Sequence, residues 1–253
     1  MTVYGGFLMM AKRTTKLNIR SFSLLLGLLV IFSGPAHAEM YSSSWGWAIV
    51  ENNSGIAATV AQQFSVDLDD AGLSGDGRNQ VLFTFTNDGP EPSSITDVYF
   101  EGGSLLELEE IFDVDYLAAP YNGLDGVDFE PYPNPSNMPG GNSLNPKFVA
   151  NGALSVDSEP KVKPNGIGPG EYLELLYIIE DGKNLDDVVA ALNYGFTTPM
   201  PGSNNSLRIG MHIQGVGENS EYSDTMLLTP IPGSLLLGLL GMGAAGVKLR
   251  RYA

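Results

Sequence analysis

Hydrophobic and polar positions alternate along much of the chain. In Val81-Leu82-Phe83-Thr84-Phe85-Thr86, one face carries Val81, Phe83 and Phe85 and the other Leu82, Thr84 and Thr86. A period of two over a β-branched and aromatic run predicts a strand. Asn87-Asp88-Gly89-Pro90 breaks it as a turn. The same reading predicts strands over residues 63–68, 95–100, 104–111 and 207–216, with Ile209, Met211 and Ile213 inward and Arg208, His212 and Gln214 outward. Residues 171–179 form a longer apolar run, expected as a buried strand. One short helix is expected over residues 185–192, with Asn184 as its cap, Asp186 and Asp187 in its first turn, and an end at residues 193–195.

Between Pro120 and Pro146 the chain is rich in Pro, Gly and Asn, including Pro131-Tyr132-Pro133-Asn134-Pro135, and reads as a long loop. Short strands separated by Gly/Pro turns, with no periodic repeat, predict one all-β domain. The expected form is an antiparallel β-sandwich, jelly-roll or Ig-like.

Both ends depart from this pattern. Lys12, Arg13, Lys16 and Arg20 precede a largely apolar stretch over residues 21–33, and then Pro35-Ala36-His37-Ala38-Glu39. This is the order of a secretory signal peptide, with Ala36 and Ala38 framing a cut after Ala38. Initiation at Met9 or Met10 would give a more usual leader. At the other end, Thr229-Pro230-Ile231-Pro232-Gly233-Ser234 leads into an apolar, Gly-rich run over residues 235–247, closed by Lys248, Arg250 and Arg251. As helix that run would extend about 20 Å, at the short end of what crosses a bilayer. The cations would remain on the cytoplasmic side. The expected organisation is a signal helix over 1–38, a β-domain over 39–228, and a tail with a hydrophobic membrane helix over 229–253.

The tail resembles a PEP-CTERM sorting signal, the substrate tail of bacterial exosortases. Pro230 and Pro232 match the two prolines of that motif, Ile231 stands where Glu is usual, and Pro-Ile-Pro-Gly-Ser is similar to a known variant. Phe83-Thr84-Phe85-Thr86-Asn87, residues 94–100 and 208–215, Pro139-Gly140-Gly141-Asn142 and Pro164-Asn165-Gly166 resemble segments of one group of such proteins that has no assigned activity. The resemblance implies signal peptidase and an exosortase as partners. It also implies export, transient membrane tethering, cleavage near the motif and release to the cell envelope, surface or an exopolysaccharide matrix, with a permanent membrane anchor as the competing reading of the tail.

Composition then narrows the chemistry. All 29 acidic residues but only six of the 13 Lys and Arg fall between residues 39 and 229, a net charge of about −23 for that stretch. Such a surface disfavours nucleic acid, which needs clustered cations, and tolerates metal cations. There is no cysteine, which excludes disulfides, thiol catalysis and Cys-based zinc sites. Only His212 remains after the signal peptide is removed, so a His-rich metal site cannot be built.

Residues 67–77 are the leading metal candidate. Asp67, Asp69, Asp70 and Asp76 with intervening glycines suit the oxygen shell of calcium. Ala71 and Arg78 break the EF-hand pattern at its fifth and twelfth positions, and a solvated acidic turn is the competing reading. Residues 122–128 form a weaker candidate of the same kind. His212 with Glu218 or Asp224 could imitate part of a hydrolytic triad, but no Gly-x-Ser-x-Gly elbow is present. An exposed strand histidine is the alternative. Trp45 and Trp47, and Tyr121 and Tyr132 in the long loop, could stack on sugars or pack in the core. The function expected is a non-catalytic structural or adhesive role outside the cell, with no resident cofactor. The alternatives are an extracellular carbohydrate-active enzyme and a permanently anchored surface protein.

Overall fold

The computed structural model describes residues 45–113, 126–159, 162–217 and 219–230. The segments expected as a signal peptide and a hydrophobic tail helix, and with them Tyr121, residues 122–125 and Glu218, lie outside the described residues.

Among the described residues, ten strands form two antiparallel sheets. They are β1 Trp45–Asn52, β2 Phe64–Leu73, β3 Asn79–Asn87, β4 Ser94–Glu101, β5 Leu106–Asp113, β6 Phe129–Pro131, β7 Val156–Ser158, β8 Glu171–Ile179, β9 Arg208–Val216 and β10 Tyr222–Pro230. One sheet has the order β1-β10-β9-β4-β7-β6 and the other β2-β3-β8-β5. Two one-turn helices, α1 Ala57–Val60 and α2 Val162–Asn165, join the longer α3 Leu185–Thr197. The sequence pattern points to α3 alone, because single turns carry no periodic signal.

The sheets pack through the inward half of each alternation. Phe83 and Phe85 of β3, Tyr177 of β8 and Phe100 of β4 meet at the centre. Phe100 lies edge-on to Phe83 at 5.4 Å between ring centroids and 5.0 Å from Tyr177, within the range of favourable aromatic pairs. Tyr177 brings a hydroxyl into this apolar core and satisfies it on the Leu154 carbonyl at 2.6 Å.

Helix α3 begins as its sequence dictates. The Asn184 side chain accepts from the Asp187 amide at 3.2 Å, and the Asp187 carboxylate accepts from the Asn184 amide at 3.0 Å, a reciprocal capping box. It ends later than expected, running through Asn193 and Gly195 to Thr197. Gly195 is not a stop here: a Cβ at that position would collide with the Leu207 carbonyl. The glycine lets the helix lie against the chain entering β9, where the Leu207 amide donates to the Ala191 carbonyl at 3.0 Å.

The Pro/Gly-rich stretch departs further from the loop expected of it. Its described part holds β6 and a 3₁₀ turn at Gly141–Ser143. Residues 132–150 fold back over the outer face of the six-stranded sheet. There Met138 and Phe148 bury Tyr99 in a second small core with Val50, Leu144 and Leu227. Gly210 is the opening that admits Met138, since a Cβ there would meet its sulfur. Strand β4 is thus covered on both faces and buried along its whole length.

Candidate functional site

Chemistry concentrates on that outer face. On β4 the outward positions are Asp97, Tyr99 and Glu101, and on β9 they are Arg208, Gly210 and His212. The antiparallel register sets Glu101 opposite Arg208 and Asp97 opposite His212, so two residues four apart on one strand meet two residues four apart on the other.

Alternation places Arg208 on the outward face of β9. It does face outward, but the covering segment buries it: its side chain is 5% exposed and that of Glu101 1%. The pair is bidentate, with Arg208 Nε donating to Glu101 Oε2 and Nη2 to Oε1 at 2.7 Å. Arg208 also donates to the Pro146 and Lys147 carbonyls at 3.2 and 2.8 Å, and its guanidinium lies 5.2 Å from the Phe148 ring centroid. Glu101 Oε1 accepts from the Val149 amide at 2.6 Å. The pair ties the covering segment to the sheet.

His212 is likewise not an exposed strand histidine: its side chain is 13% exposed. Its Nδ1 partner is Asp97 and not Asp224, and Glu218 lies outside the described residues. Nδ1 lies 3.0 Å from Asp97 Oδ2, while Asp224 accepts from the Ser54 amide at 3.0 Å. Asp97 also accepts from the Thr96 hydroxyl at 2.8 Å, and the Tyr99 hydroxyl lies 2.9 Å from Asp97 Oδ1 and 3.1 Å from the Pro135 carbonyl. Burial, and then the adjacent Asp97 carboxylate, push the Tyr99 phenol well above its ordinary value. Burial likewise raises the Asp157 carboxyl, on β7 opposite Asp97, against the lowering effect of its bond from the Asn134 amide.

The row continues across the sheet. His212 stands opposite Thr225 of β10, and Thr225 opposite Glu51 of β1. Thr225 supplies a hydroxyl in register with the His–Asp pair, and its Oγ1 is buried with no hydrogen-bond partner among the described residues. The geometry therefore gathers a base and its orienting acid, but the hydroxyl beside them is closed to a substrate. Sequence reasoning missed Asp97 and Glu101. Their matched four-residue spacing with His212 and Arg208 was the available signal, but it becomes visible only once β4 and β9 are known to pair.

The structure does not bring the four candidate calcium ligands together. Asp67, Asp69 and Asp70 lie along β2, paired to β3, where alternation sets Asp67 and Asp69 on one face and Asp70 stands at the bulge that follows. Asp76 sits in the β2–β3 turn, where its carboxylate accepts from the Ser74 hydroxyl and from Arg78 Nε at 2.8 Å. The bonds from Ser74 and then Arg78 hold it down to about 2. Asp67 moves the other way, raised by burial and then by Asp69 and Asp88. Among the described residues no three His, Asp or Glu side chains are grouped to hold a metal ion. Of the weaker candidate over residues 122–128, only residues 126–128 are described.

The aromatic candidates separate. Trp45 and Trp47 are half-buried against the main core, and Trp47 Nε1 donates to the Phe64 carbonyl at 3.1 Å. Tyr132 is 71% exposed beside an open groove. At the end of the fold, Thr229 and Pro230 still belong to β10, paired with Gly46 and Trp45. The ladder thus runs two residues past the boundary expected at 228. Ile231, Pro232, Gly233, Ser234, Lys248, Arg250 and Arg251, and Ala36 and Ala38 at the other end, lie outside the described residues.

What the fold defines is a two-sheet antiparallel β-sandwich with one paved face. No protein-family model matches the chain, and neither a curated protein nor a solved structure is found that matches it.

Proposed function

We propose that the chain is an exported, non-catalytic protein of the cell envelope or an exopolysaccharide matrix, tethered by its tail, sorted by an exosortase, and structural or adhesive in role. One observation carries the reading: Pro230, the first proline of the sorting-like motif, is itself held in β10 of the folded domain. Trp45 pairs with Pro230, so the mature chain enters the fold beside the place where the tail leaves it. The non-catalytic part draws support from the closed polar row, in which His212 is held by Asp97 and the neighbouring Thr225 hydroxyl is buried.

Within the sandwich class the reading is Ig-like rather than jelly-roll. The order β2-β3-β8-β5 against β10-β9-β4 follows the A-B-E-D and G-F-C order of that fold. Strand β1 is then added beside the last strand, and β6 and β7 beyond the third.

The test is the intact mass of the protein from membrane and medium of its native host. Loss of both ends, near Ala38 and near Pro232, is expected. Replacing Pro230 and Pro232 together with Ala should leave the tail uncut and the protein in the membrane. Normal-sized product in the medium from that variant would overturn the sorting reading.

A further inference from the structure

The outermost strands of the two sheets, β5 and β6, approach each other on one side of the sandwich. The groove beside them, with a volume of 570 Å³, is lined by Ser104, Leu106, Glu107, Tyr132, Asn151 and Leu154 among others. That is within the size range of small-molecule sites, roughly 300–1,000 Å³.

Tyr132 is its most unusual member. It is the most exposed large hydrophobic side chain among the described residues and also has a φ of +68°. A bulky residue in the left-handed region is a genuine outlier, and such strain collects at binding sites. Two contacts maintain it. The Tyr132 amide donates to the Ser155 carbonyl at 3.1 Å, and the ring lies over Gly152, where a Cβ would be 3.6 Å from Tyr132 Cδ1. The ring is backed on Gly152 and otherwise largely open to solvent.

Polar groups with unused capacity line the same groove. Glu107 gives one oxygen to Arg78 at 2.9 Å and keeps further lone pairs, with its side chain mostly exposed. The Ser104 hydroxyl accepts from Asn204 at 2.8 Å, which leaves its own proton to donate. An aromatic plate beside a carboxylate acceptor and a hydroxyl donor fits a sugar ring, which presents an apolar C–H face and a rim of hydroxyls. Charge selects among sugars. Glu107, Glu109 and Glu110 all lie on β5, in a chain of net charge −16, and would repel uronic or sulfated glycans.

The geometry points to a binding site for a neutral saccharide in this groove, with Tyr132 as the stacking platform and Glu107 and Ser104 as hydrogen-bonding groups. This rests on the adhesive part of the proposed function and not on sorting.

The test uses the full chain in a zwitterionic, non-glycoside detergent, titrated calorimetrically with neutral gluco-, manno- and galacto-hexasaccharides and with a uronic hexasaccharide. At least one neutral sugar should bind with a Kd below about 1 mM, and the uronic sugar should bind more weakly. Tyr132→Ala should weaken binding about tenfold, and Tyr132→Phe should retain it. Tyr132→Gly, which relieves the backbone, should weaken binding to the same degree while melting no lower than the parent, so that weaker binding is not loss of fold. No binding by any neutral sugar, undiminished binding by Tyr132→Ala, or preference for the uronic sugar would each overturn the site. The intact mass of the same variants in the host reads sorting separately, since Tyr132 changes should leave processing unaltered.

Discussion

Arg208→Met offers the sharpest test of how this fold is held. Met conserves most of the side chain's length and apolar stem but removes five N–H donors. What remains is a Glu101 carboxylate, 1% exposed, with the Val149 amide as its surviving partner. The Pro146 and Lys147 carbonyls lose their bonds from the guanidinium, and the Phe148 ring loses its cation. Removing one member of a buried pair costs about 3–5 kcal/mol, because the other charge stays behind without compensation. For a domain of this size each kcal/mol lowers Tm by about 2–4 °C, so the melting temperature should fall by about 6–20 °C. Arg208→Lys should recover little, since an ammonium cannot reproduce the fork that grips both Glu101 oxygens and two carbonyls. Changing Glu101 to Leu in the Met background should restore part of the loss by removing the stranded charge. Urea and thermal unfolding give the magnitude. Amide exchange at Val149 and Ala150, whose N–H groups are bonded to Glu101 and Asn137, reports whether the covering segment loosens first. A cost below about 1 kcal/mol for Arg208→Met, with unchanged exchange at Val149, would refute the claim that this pair fastens the segment to the sheet.

The other predictions concern single groups. Asp67 has its carboxyl raised above the ordinary 3.8, chiefly by burial, so its ionised form costs stability above the raised value and costs nothing below 3.8. Asp67→Asn should therefore melt higher than the parent at pH 7, with the gain shrinking as pH falls through that window. An equal gain at pH 7 and pH 3.5 would show that charge is not the cause. Asn184→Ala removes the cap of α3 and should cost about 1 kcal/mol in urea unfolding. No loss would mean that packing alone sets where the helix begins.

Local rules wrote much of this structure into the sequence. Strand β8 runs over the residues its apolar pattern marks, Glu171–Ile179. Strand β3 buries Val81, Phe83 and Phe85 as alternation requires, and α3 starts directly after its cap Asn184 because a capping box needs only four consecutive residues. Each of these signals is complete within one element. Strands β6 and β7, three residues each, are too short to show a period, and the reach of β2 through its acidic run depends on pairing with β3 rather than on its own composition.

The candidate site was legible only in its parts. Alternation sent Arg208 and His212 to the outer face, and it was right about direction. Outward meant buried only because residues 132–150 return across that face, and their Pro/Gly-rich sequence carries no periodicity to announce it. The partners Glu101 and Asp97 lie 107 and 115 residues away in sequence, joined by a register that no local pattern encodes. Tyr132 shows the same division. Its sequence marks an aromatic in a proline-rich turn, but its positive φ, its seat on Gly152 and the groove beside it arise from where β5, β6 and the 150–155 segment meet. Period and capping are properties of neighbours along the chain, whereas burial and partnership are properties of neighbours in space, and those were decided when the two sheets closed.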